Sequence, residues 1–151
     1  MSAAEYRAYL LQQSQKKVPK HRNRIVYVYE DAFASTEKGL TNHGKIVDAF
    51  GSVKEYNRWC ELKLIEKAGR VTDLRRQVPF LLQEAFVSAD GGTHKAINYY
   101  ADFVYIREGK TVVEDVKGQD KHTGKHLTTA TFRLKWKLLQ AKYPDYVFEL
   151  Y

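Results

Sequence analysis

The sequence predicts an α/β chain with a mixed central sheet flanked by helices, and three observations carry that expectation. Two β-rich runs, Tyr99–Ile106 and Thr111–Val116, flank Arg107-Glu108-Gly109-Lys110, a connection short enough for a tight hairpin. Two stretches read as helices: 52–68, with a capping box and a closing glycine, and 129–142, with apolar residues at helical spacing. From Ser52 onward the elements therefore run helix, three strands, helix, strand.

Composition bounds what such a chain is able to be. Its 151 residues are enough for a core, and 44% hydrophobic with 28% charged residues is a globular balance that argues against wholesale disorder. No stretch approaches the roughly 18 apolar residues of a membrane span. The opening Met1-Ser2-Ala3-Ala4-Glu5-Tyr6-Arg7 lacks a basic segment followed by an apolar one, so no secretory leader is expected. A single cysteine, Cys60, excludes an internal disulfide and fits a reducing cytoplasm. Five scattered histidines and that cysteine offer no paired spacing for zinc. The net charge of +7 is unevenly placed. Lys16–Arg24 holds five basic residues and no acid, and Lys117–Lys142 holds seven against Asp120 alone. Basic patches of this kind are the footprint of a polyanion binder, although a solvated basic surface reads the same.

In chain order, residues 2–17 read as a helix with Tyr6 and Leu10 on one side, ended by Pro19. With the basic run after it, this is a helical extension over 1–23, and residues 24–151 are expected to form one domain. Arg24–Glu30 is a strand, Asp31–Gly44 is polar and turn-rich, and Lys45–Phe50 is the returning strand of a hairpin. The helix at 52–68 opens with the capping-box spelling Ser52-Val53-Lys54-Glu55 and closes at Gly69. Glu55, Trp59, Leu62 and Glu66 share one stripe, which is unusually acidic for a core face. Val71–Gln83 is extended, with Pro79 marking an edge or a bulge and Gln77 read as a solvent-facing or hydrogen-bonded strand residue rather than a site residue. Asp90-Gly91-Gly92 makes a turn, and the hairpin at 99–117 follows. Gly118–Thr128 is polar, basic and expected to be flexible, suited to ordering on a phosphate backbone. Its His122 and His126, with Gly124 between them, are a poor metal pair. Thr129–Lys142 is a helix with Phe132, Trp136 and Leu139 on one face, and Tyr146–Tyr151 is a closing strand after Pro144.

The chemistry is concentrated in the hairpin. Asp102 lies mid-strand among apolar residues, where a bare carboxylate is costly unless it is paired or bound to a metal. Strand alternation points Asp115 and Lys117 one way and Glu114 and Val116 the other. Ordinary hairpin register brings Asp102 toward Asp115 and Lys117. Oxygen ligands of this kind suit Mg²⁺, with Mn²⁺ as a substitute, and a neighbouring lysine orients water or neutralises charge developing on a phosphate.

Asp102, twelve residues, then Asp115-Val116-Lys117 resembles the signature of the PD-(D/E)XK nucleases, with Ala101 where the family carries proline. The longer wording, Tyr100-Ala101-Asp102-Phe103 followed by Val112-Val113-Glu114-Asp115-Val116-Lys117-Gly118, resembles small phage and prophage proteins assigned to that superfamily. Those proteins also have a similar Ser-x-x-Glu before Glu61-Leu62-Lys63-Leu64. The resemblance covers about residues 24–151, and its restriction-endonuclease-like core has the same αβββαβ order.

The resemblance implies a Mg²⁺-dependent endonuclease acting on DNA, in the cytoplasm of a bacterial host. Asp102, Asp115, the carbonyl of Val116 and Glu55 would hold the metal, and Lys117 would position the attacking water. Glu55 keeps a second reading, that of a helix-cap residue bonding back to the cap. Glu114 becomes the ligand if a bulge turns the strand, although alternation with Lys117 favours Asp115. Lys121, Lys125, Arg133, Lys135 and Lys137 would contact the DNA backbone. Junction-resolving enzymes are among the resembling families, so branched DNA ranks first over simple duplex. A four-way-junction cutter also requires a symmetric homodimer, with the helix at 2–17 as a contact. The competing expectation is a non-catalytic nucleic-acid-binding or replication accessory protein, whose acids would be salt-bridged to Lys117.

Overall fold

The computed structural model describes residues 23–151, so the expected helix at 2–17 and most of the Lys16–Arg24 run lie outside the described residues. The described residues divide into two compact units, one ending at Val53 and the other Lys54–Tyr151.

In the first unit, β1 (Val26–Tyr29), β2 (Ala34–Ser35) and β3 (Ile46–Phe50) form a three-stranded sheet in the order β2-β1-β3. The antiparallel pairing of β1 with β3 is the hairpin expected from the sequence. Val26, Tyr29 and Phe50 are buried. The Tyr29 hydroxyl donates to the Glu37 carbonyl at 2.9 Å and accepts from the Leu40 N–H at 3.2 Å. A single aromatic ring thus ties down the polar loop that returns the chain to β3.

The second unit is a mixed α/β fold: α1 (Val53–Lys67), β4 (Thr72–Gln83), the two-residue strands β5 (Phe86–Val87) and β6 (Thr93–His94), β7 (Ile97–Arg107), β8 (Lys110–Asp115), α2 (Ala130–Lys142) and β9 (Val147–Leu150). Apart from the small β5–β6 ladder, this is the helix, three strands, helix, strand order read from the sequence. The main sheet runs β4-β7-β8-β9, antiparallel except for the parallel pair β8–β9. Pro79 is tolerated because β4 is an edge strand, where a missing N–H breaks no inner ladder. The β7–β8 hairpin closes between Arg107 and Lys110 on Glu108 and Gly109, at φ 52° and 75°. Two consecutive left-handed residues match the twist of the flanking strands, and Gly109 takes the second position without a Cβ penalty.

Two apolar layers cover the sheet. Leu62 of α1, with Trp59 against it, packs with Val71, Phe103, Tyr105 and Val112. Leu139 of α2, with Phe132 and Trp136, packs with Phe80, Tyr99, Ala101, Val104 and Val113. Val112 and Val113 go to opposite layers, as alternation requires. In β7 the rule breaks: Phe103 and Tyr105 pack with α1, whereas Tyr99 and Ala101, of the same parity, pack with α2. In β4 it breaks at the facing position, since Leu74 packs with the α1 layer and Val78, Phe80 and Leu82 with the α2 layer. Gln77, at φ 51°, and Asp102 stand at these two switches, between the register pairs Arg76–Phe103 and Val78–Ala101. The register is the same on both sides of this position, so the switch re-aims the side chains without slipping the strands.

Candidate active site

The switch in β7 and the end of β8 gather the carboxylates. Phe103 pairs with Glu114, so the next position in register sets Asp102 against Asp115. There the regular ladder stops, and the Asp102 side chain replaces it: Oδ2 accepts from the Val116 N–H at 2.8 Å. The following peptide, which carries the Val116 carbonyl, is held through the Lys117 N–H to the Tyr151 carbonyl at 3.0 Å, and Tyr151 N–H donates to the Asp115 carbonyl at 3.0 Å. Lys54 Nζ donates to the Lys117 carbonyl at 2.8 Å. The Asp115-Val116-Lys117 backbone is therefore fixed from three directions.

Asp115, 3% exposed, accepts at Oδ1 from the Tyr99 hydroxyl at 2.6 Å. Its buried Oδ2 makes an ion pair with Lys117 Nζ and no further hydrogen bond. Lys117 Nζ also lies 4.1 Å from the centre of the Phe132 ring, a cation–π contact that helps hold the ammonium in place. Glu114 goes the other way. It is 1% exposed and takes a two-pronged bond from Arg58, Nε to Oε1 at 2.7 Å and Nη2 to Oε2 at 2.8 Å, with the Tyr105 hydroxyl adding 2.9 Å. Of the two neighbouring acids, Asp115 shares a face with Lys117 and Glu114 is committed to the α1 layer.

Glu55, 8% exposed in the first turn of α1, accepts at Oε1 from Gln77 Nε2 at 3.2 Å. The same nitrogen donates to Asp102 Oδ1 at 3.3 Å. Gln77, read from the sequence as a solvent-facing or hydrogen-bonded strand residue, is exposed and hydrogen-bonded, and its amide bridges two expected site carboxylates. Tyr99 and Lys54 were not singled out by the sequence, and no local motif marks them.

Like charges crowd here. Burial, then the Asp115 carboxylate and more weakly Glu55, push the Asp102 carboxyl up to about 7, against the opposing pull of the Val116 N–H and Lys117. Burial and Asp115 likewise hold the Tyr99 phenol protonated well above its usual range. The folded protein therefore keeps a proton on Asp102 that the unfolded chain loses near 3.8. Stability from this group is complete below that value and is lost as the pH rises to about 7. In EDTA the thermal midpoint is expected to fall between about pH 4 and about pH 7, and the fall is expected to shrink in Asp102→Asn. A midpoint with the same pH profile in both proteins would remove Asp102 as its source.

Among the described residues, no three His, Cys, Asp or Glu stand together closely enough to hold a metal ion as placed. The donor set nonetheless fits a hard divalent cation in kind. Asp102, Asp115 and Glu55 offer only oxygen, their charges oppose one another, the Gln77 amide joins Glu55 to Asp102, and the Lys117 ammonium pairs with Asp115. His122 and His126 belong to no such group among the described residues.

The expected phosphate contacts are dispersed. Lys121, Lys125 and Lys137 are exposed. Arg133 instead donates to the Thr128 carbonyl at 3.0 Å, and Lys135 donates to the Asn98 carbonyl at 2.9 Å. The loop at 118–128, expected to be flexible, is closed on itself. Asp120 Oδ1 accepts from the N–H groups of His122 at 2.9 Å and Thr123 at 2.8 Å, and Leu127 N–H donates to the Gly118 carbonyl at 2.8 Å. No described helix is long and apolar enough to cross a membrane.

No curated protein and no solved structure matches the chain. One family model does, over residues 38–149, under the description "Protein of unknown function (DUF1064)". That match takes in β3, both helices and the whole carboxylate–lysine site, and the chain belongs to the DUF1064 family.

Proposed function

We propose that this protein is a metal-dependent endonuclease hydrolysing DNA phosphodiester bonds, with branched DNA as its first substrate class. One observation carries the reading: two strand carboxylates, Asp102 and Asp115, converge with the Lys117 ammonium where regular β7–β8 pairing ends, and Glu55 reaches the same group through Gln77. A core needs no such convergence of like charge, and crowding that raises the Asp102 carboxyl costs stability.

Asp102, Asp115, Glu55 and the Val116 carbonyl would hold Mg²⁺ or Mn²⁺. The ion would lower the pKa of a bound water and polarise the phosphate. The chain's own groups do the rest. Lys117, steadied by Phe132 and Asp115, donates hydrogen bonds to the attacking water and to the non-bridging phosphate oxygens as negative charge builds on them. Tyr99 holds Asp115 at one orientation, and the Val116 N–H does the same for Asp102. Attack by the water oxygen forms the new P–O bond while the bond to the leaving sugar oxygen breaks. Lys121, Lys125 and Lys137 supply backbone affinity without sequence choice. A homodimer presenting two sites to one junction completes the branched-DNA reading.

A second reading, a non-catalytic nucleic-acid-binding accessory protein, draws on the Lys117–Asp115 ion pair, which satisfies both groups without any metal. The two readings separate on labelled linear, nicked, flapped and four-way-junction DNA with Mg²⁺, Mn²⁺ or EDTA. Cutting that requires metal and is lost in both Asp102→Ala and Lys117→Ala is the expected result, and the preferred substrate identifies the type. Binding without cutting on every substrate would give the accessory reading the field.

A further inference from the structure

Gln77 occupies the centre of β4 at φ 51°, a left-handed conformation that glutamine rarely takes. The strain coincides with the face switch of β4 and lies in register with the face switch of β7 at Asp102. The result is that one amide nitrogen stands between Glu55 of the helix and Asp102 of the inner strand, 3.2 Å and 3.3 Å away, and spends one proton on each. A glutamine differs from a lysine or arginine here in a way that matters for a cation site. It holds two carboxylates at a fixed separation and cancels neither charge.

Building on the nuclease reading, we propose that Gln77 is a positioning residue that sets the separation of Glu55 and Asp102 for a divalent cation. Its backbone conformation serves this purpose, because an extended residue at 77 would keep β4 alternating and carry the side chain away from the carboxylates. Residues that orient metal ligands through hydrogen bonds commonly account for about 10–100-fold in metal affinity.

The test is Mn²⁺ titration calorimetry on the full chain, with thermal midpoints in EDTA and in Mn²⁺, for wild type, Gln77→Gly and Gln77→Lys. Glycine accepts the left-handed backbone without penalty, so Gln77→Gly removes the amide and keeps the turn. It is expected to bind Mn²⁺ about 10–100-fold more weakly, with an EDTA midpoint at or above that of wild type. On DNA the loss is expected in kcat at limiting metal, with KM for DNA unchanged. Gln77→Lys places an ammonium where the cation's charge would fall, and is expected to bind no Mn²⁺ and to show no Mn²⁺-dependent rise in midpoint. Wild-type Mn²⁺ affinity in Gln77→Gly would reduce the amide to a bystander and leave the nuclease reading standing. Wild type that itself binds neither Mn²⁺ nor Mg²⁺ would overturn both.

Discussion

Asp115→Asn is expected to lower DNA cleavage by about 10³-fold or more while DNA affinity stays equal or rises. The substitution changes charge and hardly changes shape. Oδ1 of an asparagine still accepts from the Tyr99 hydroxyl, so the buried contact at 2.6 Å survives and the fold has little reason to fail. What disappears is the negative charge beside Lys117, and with it an anionic oxygen for a cation. Affinity moves the other way because a carboxylate near a phosphate repels it, and the released ammonium gains a phosphate partner. Asp115→Ala makes the contrast: it strands the Tyr99 hydroxyl in a buried site, which costs about 1–3 kcal/mol in addition to any catalytic loss. Binding measured by gel shift in EDTA, beside cleavage in Mg²⁺, separates the effects. Full cleavage by Asp115→Asn would remove Asp115 from the machinery. Equal loss of binding and cleavage at an unchanged thermal midpoint would make it a binding residue.

The largest expected effect on stability is at Arg58, outside the candidate machinery. Glu114 is 1% exposed, and its carboxylate is matched by the Arg58 fork and the Tyr105 hydroxyl. The pairing raises the Arg58 guanidinium further above its already high value, chiefly through the bond to Glu114. Arg58 also stacks 4.2 Å over the Tyr151 ring, so it braces the segment whose backbone holds Asp115 and Lys117. Arg58→Met leaves an uncompensated charge in the α1 layer and is expected to cost about 3–5 kcal/mol. For a domain of this size that is a midpoint drop on the order of 10 °C or more. Replacing both partners, Arg58→Met with Glu114→Met, is expected to recover most of the loss, since two apolar groups strand no charge. A double variant no more stable than Arg58→Met would show that packing around Tyr151, rather than the ion pair, carries the energy.

Short-range chemistry made much of this protein legible from its residues. The hairpin followed from β-rich runs around Glu108-Gly109, the first helix from its Ser52–Glu55 start and Gly69 end, and the second from the Phe132, Trp136 and Leu139 spacing. Alternation separated Asp115 from Glu114, and the structure pairs Glu114 with Arg58 on the opposite side from Lys117. Other features lie beyond any local pattern. Gln77 is the exposed, hydrogen-bonded strand residue the sequence suggests, but nothing local encodes its left-handed φ. The closure of the loop at 118–128 depends on Asp120 capping its own turn, which no periodic pattern records.

The sequence by itself determined the α/β order, the pairing of the hairpin, and which acid shares a face with Lys117, because each depends on contacts between near neighbours and on a period of two or 3.6 residues. Tertiary structure alone decided that Gln77 bridges Glu55 to Asp102, that Tyr99 holds Asp115, that Arg58 neutralises Glu114 and that Lys135 is spent on the Asn98 carbonyl. Those partners are 16 to 56 residues apart. Gln77 meets Glu55 and Asp102 where β4 and β7 switch faces at matching positions, and no pattern along a single strand records where a neighbouring strand bends.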